Sequence, residues 1–131
     1  MSGADRSALL ALAEEALELQ EEGEQVVAEI RDEGPLHELA GRGGPLISRF
    51  AAMRRELPAC DDPLLRSAAE VLDMIFANHA MAMNAALDLL AVSWRSERMR
   101  EELHRLDGLG RPAVWLETIR AELAEELEAP A

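Results

Sequence analysis

From Leu64 to Leu106 the chain contains neither proline nor glycine, so nothing in the covalent sequence interrupts a helix there. At about 100° per residue, Arg66, Glu70, Asp73, Ala77, Ala80, Asn84, Asp88, Ala91 and Arg95 share one stripe about 80° wide, and most of the remaining circumference is apolar. A helix of this kind has to be covered from several sides. If it ran unbroken from Pro63 to Asp107 it would reach about 67 Å, whereas a globule of this length has a radius of gyration near 14 Å. Met99, Leu103 and Leu106 fall on a different face from Leu72, Phe76, Leu90 and Trp94. The helix is therefore expected over 63–107 with a kink near 93–96.

The rest of the chain offers only helices to cover it. The 131 residues are dominated by Ala, Leu, Glu and Arg, with two Trp, two Phe and no Tyr. Strands need the β-branched and aromatic residues that are scarce here, so an all-α fold is expected. Leu9, Leu12, Ala16, Leu19, Gly23, Val26 and Ile30 recur three and four apart and predict a first helix over 5–32, with Asp5 as its N-cap. Gly34 to Pro45 reads as a connector. Pro45 then suits the first position of a second helix over 46–57, whose Leu46, Ile47, Phe50, Met53 and Leu57 share a side. Asp62-Pro63 is an N-cap followed by proline at N1. Pro112 opens a last helix over 112–128, with Val114, Leu116, Ile119, Leu123 and Leu127 toward the core. The sum is a single domain, residues 1–131: a four-helix bundle-like domain with long first and third helices, packed as a helical homodimer because so much of the third helix is apolar.

Charge and absences bound the chemistry. The formal net charge is −13, and all thirteen basic residues are arginine. Without lysine there is no phosphate-loop lysine, Schiff base or Ser-Lys dyad. Nucleic acid and anionic membranes are repelled by such a surface, so neither is expected as a partner. Cys60 stands alone, which excludes an intrachain disulfide and a cysteine zinc site. The segment from Val71 to Trp94 is too polar to span a bilayer, and Ala8 to Leu12 runs into Glu14 and Glu15 as no secretory signal would; a cytoplasmic protein is expected.

Two constellations could bind something. His79, Met83, Phe76 and Trp94 share a stripe, and a His-Met pair facing one pocket is haem- or copper-ligand chemistry. The alternative is a hydrogen-bonded core histidine with Met74, Met81 and Met83 as flexible filler. Glu101 and His104 form one Glu-x-x-His, the half-motif of a dinuclear metal site, but the first helix holds its acids off the apolar stripe and supplies no inward partner. No Ser-His-Asp spacing is recognisable, and Cys60, flanked by Pro58 and two aspartates, is expected to be inert. The expected function is therefore non-enzymatic, without a cofactor: an acidic regulatory or adaptor protein working by protein–protein interaction, with Leu9, Leu12, Leu19, Val26, Leu72, Phe76 and Leu90 at a two-fold interface. A bundle binding a small apolar ligand or metal near His79, and a DNA mimic or binder of a basic protein surface, are the alternatives.

Overall fold

Helix-forming composition, a strong cap at 62–63 and local side-chain caps elsewhere shape the chain. In the computed structural model, which describes residues 2–128, five helices follow one another: α1 (Ser2–Arg31), α2 (Leu36–Glu56), α3 (Pro63–Ala91), α4 (Glu97–His104) and α5 (Arg111–Glu128). The fold is all-α, with no strand among the described residues. Helix α3 lies at the centre, packed against α1, α2 and α5, and α1 in turn touches α2, α4 and α5.

The starts and stops have identifiable causes. The Asp62 carboxylate accepts from the backbone N–H groups of Leu64 at 2.8 Å and Leu65 at 3.3 Å, and Pro63 occupies the first turn where its missing N–H costs nothing. At the other end α3 stops at Ala91 rather than continuing to 107. The Arg95 guanidinium donates to the Leu90 carbonyl at 3.1 Å, and Ser96 Oγ accepts from Met99 N at 3.2 Å to start α4. Side-chain caps thus break the long helix over 92–96 without glycine or proline.

Two helix starts differ from the sequence expectation. Helix α1 begins at Ser2, which leaves Asp5 inside the first turn, where its charge suits the positive helix end rather than capping it. Helix α2 begins at Leu36, nine residues before Pro45, which lies inside it. The glycine run there is helical because close packing outweighs propensity. A β-carbon on Gly43 would stand 3.1 Å from Leu87 Cδ1 and 3.6 Å from Val26 Cγ1, so this bare turn lets α2 approach both α1 and α3. Gly23 plays the same part on α1, where a β-carbon would stand 3.1 Å from Met83 Sδ.

The core joins Leu9, Val26 and Ile30 of α1, Leu39, Phe50 and Met53 of α2, Leu72, Ile75, Phe76 and Met83 of α3, and Leu103 and Leu116 beyond. The Phe50 and Phe76 rings meet at a 40° tilt with centroids 5.9 Å apart. Ion pairs fasten its margins: Arg49 of α2 donates to both carboxylate oxygens of Glu15 on α1, Arg42 donates to Glu29 at 2.6 Å, and Arg54 meets Asp73 of α3 at 2.8 Å. The Arg49 hydrogen bond holds the Glu15 carboxyl below its usual range. A second cluster ties α1 to the C-terminal half: Glu33, at φ 56° just past α1, receives Arg95 and His104, each at 3.1 Å.

Candidate functional site: an uncovered apolar face on α3 and α5

The residues grouped around His79 by sequence meet in a closed core. His79, Met83 and Phe76 are each 0% exposed. Gln20 of α1 donates from Nε2 to the Ala113 carbonyl at 3.3 Å, so its Oε1 faces His79 Nε2, 2.7 Å away. That orientation makes Nε2 the protonated nitrogen and leaves Nδ1 with a buried lone pair that no donor reaches. The Phe50 ring stands edge-on to the imidazole with centroids 5.3 Å apart. Trp94 does not join them. It sits in the 92–96 break, 72% exposed, because the helix that would have carried it onto the stripe ends at Ala91.

This environment makes His79 a buried neutral group. Burial lowers its pKa from 6.5 to about 4. Above pH 6.5 neither the folded nor the unfolded chain protonates it; below that value the unfolded chain takes up a proton that the folded one refuses until about pH 4. Stability is therefore expected to fall on acidification through this window, by roughly 3 kcal/mol in total at this site. Urea unfolding at several pH values checks it. The His79→Leu protein should lack that component of the slope, while losing about 1–3 kcal/mol at neutral pH from the stranded Gln20 Oε1. An identical slope in the two proteins contradicts the assignment.

The other sequence candidates are placed elsewhere. His104 is taken up by Glu33, and Glu101 is exposed on the same short helix. Among the described residues no group of three His, Cys, Asp or Glu side chains could hold a metal ion. Burial pushes the Cys60 thiol up, with Asp5 and Asp62 adding to it, and its Sγ donates to the Pro58 carbonyl. Leu9, Leu12, Val26, Leu72, Phe76 and Leu90, expected at an interface between chains, are buried within one chain, and Leu19 is half-buried. Periodicity shows that residues share a face but not which neighbour covers it; here α1 and α3 pack on each other and on α2 and α5 of the same molecule. The side chain of Leu127 lies outside the described residues.

What remains uncovered is a different face. Along α3, Leu64 (72% exposed), Met74 (41%), Met81 (68%) and Val92 (38%) stand out to solvent, with Val71 half-buried between them. Alongside, α5 presents Val114 (60%) and Trp115 (41%). Val114 thus points outward and not into the core as expected. A cavity of about 380 Å³ opens between the helices, lined by Val71, Met74, Trp115, Thr118, Ile119 and Glu122. A smaller one of about 140 Å³ shares Ile119 and Glu122 and continues to Leu64 and Ala68. Together they form a groove between α3 and α5 whose walls are mostly apolar. Met74, expected as core filler, lines it, and Met81, also expected in the core, is exposed about two turns further along α3; an unbranched thioether repacks against many shapes.

The sequence contained a signal for this face: α3 is apolar around too much of its circumference for the other helices to cover. Where the uncovered sector lies depends on how α5 crosses α3, and no local pattern encodes that. Among the described residues, no helix is long and apolar enough to cross a membrane. Comparisons of the chain with protein-family models, with curated proteins and with solved structures give no match.

Proposed function

We propose that this protein is a non-enzymatic interaction module, of regulatory or adaptor type, that self-associates through the α3–α5 face. The observation that supports this reading is the set of exposed apolar side chains Leu64, Met74 and Met81 along α3, with Val114 and Trp115 exposed on α5. Single exposed apolar residues are ordinary on a protein surface; a row of them along a groove marks a contact site. Methionine and tryptophan are also the residue types that interfaces favour. Within the core, His79 Nε2 donates to Gln20 Oε1, and burial raises the Cys60 thiol above its usual range.

Methionine oxidation tests the reading directly, because a covered thioether reacts slowly with peroxide and an exposed one quickly. At tens of micromolar protein, Met74 and Met81 are expected to be protected. On dilution to nanomolar concentration they should oxidise several-fold faster, while buried Met53 and Met83 stay protected at both concentrations. Equal oxidation of Met81 at the two concentrations contradicts self-association through this face.

A further inference from the structure

Along the outer face of α3, apolar residues recur in reverse order about one point, and a positive residue on one side of it is matched by a negative one on the other. Met74 and Met81, Val71 and Ala85, Leu64 and Val92, and Arg66 and Asp88 are pairs whose midpoints all fall within the step from Ala77 to Asn78. A spread of one residue is about 1.5 Å along a helix, less than the width of a side chain.

Resting on the self-association reading above, we infer that the occupant of the face is α3 of a second copy, laid antiparallel about a two-fold axis that passes between the two helices at the level of Ala77–Asn78. An axis perpendicular to two antiparallel helices carries each edge of one onto the same edge of the other. Met74 then meets Met81 of the second copy, Leu64 meets Val92, and Val71 meets Ala85. Trp115 and Val114 flank the seam from α5.

Charge selects this direction over the parallel one. Arg66 donates to the Cys60 carbonyl at 3.2 Å and the Asp61 carbonyl at 3.0 Å, so its charge meets no carboxylate there. Asp88 is exposed and has no ion-pair partner among the described residues. In the antiparallel register these two charges face each other at both ends of the seam, and Glu70 faces Asn84. A parallel pair would set Arg66 against Arg66, Glu70 against Glu70 and Asp88 against Asp88, in a chain already at −13. Asn78, at the axis, donates from Nδ2 to the Met74 carbonyl of its own helix at 2.9 Å. Its Oδ1 is left to the seam, where one polar residue can fix register.

Spin labels measure the register. In a Cys60→Ser background, labels at Asn78→Cys are expected within about 15 Å of each other, and labels at Ser67→Cys about 30 Å apart, from 1.5 Å of rise per residue on either side of the axis. Arg66→Asp should weaken association about tenfold, and Asp88→Arg in the same chain should restore it. Short distances at both labelled positions, or no rescue by the double reversal, overturn the antiparallel register while leaving a dimer in place. A protein that stays monomeric at tens of micromolar removes the register and the self-association reading together.

Discussion

The Phe50→Ala protein is expected to be about 3–5 kcal/mol less stable than the wild type, the usual cost of emptying a fully buried phenylalanine site. Phe50 is 0% exposed and touches α3 twice, tilted against Phe76 and standing edge-on to His79. Its removal takes away the main apolar contact from α2 to the centre of α3 and leaves a cavity beside the imidazole. Typical domains have only about 5–15 kcal/mol in total, so the midpoint of thermal unfolding should drop by roughly 10–20 °C. The polar Nδ1 of His79 gives entering water a partner, which should bring the imidazole back toward its ordinary titration range and flatten the acid-side slope of stability. Circular dichroism melting with and without urea checks both parts. A loss under 1 kcal/mol would mean that α2 is held mainly by its ion pairs, Arg49–Glu15 and Arg54–Asp73, and not by Phe50.

How much of this was legible in the sequence varied from element to element, for physical reasons. Asp62-Pro63 announced the start of α3 because capping and the missing proline N–H act within one turn. The all-α class followed from composition, which acts on every residue. The glycines at 41, 43 and 44 misled, since a run that reads as a flexible connector is helical where a neighbouring helix needs the space that Gly43 leaves open. The break after Ala91 was legible from the change of apolar face, but its cause, the caps from Arg95 and Ser96, lies in contacts that a motif scan does not see. His79 was legible as buried or ligating; its hydrogen-bond partner Gln20, 59 residues away, was not. The interaction face was least legible. Met74, Met81 and Met83 look alike in sequence, but Met83 is buried beside Gly23 of α1 while the other two stand outside.

The central claim is that the α3–α5 face is covered by a second copy, and its most direct test is the mass of the protein in solution beside that of a Met81→Glu variant. Glutamate is a good helix former, so α3 should keep its helicity. In the seam, however, it places an unpaired carboxylate where Met74 of the second copy would pack, and does so twice per dimer. Burying such a charge should weaken association by about a hundredfold or more. Sedimentation equilibrium at tens of micromolar is expected to give the wild type twice the 14.4 kDa mass of one chain and the Met81→Glu protein that mass alone, with identical circular dichroism. A wild type that sediments at 14.4 kDa, or a variant that remains as dimeric as the wild type, contradicts the account.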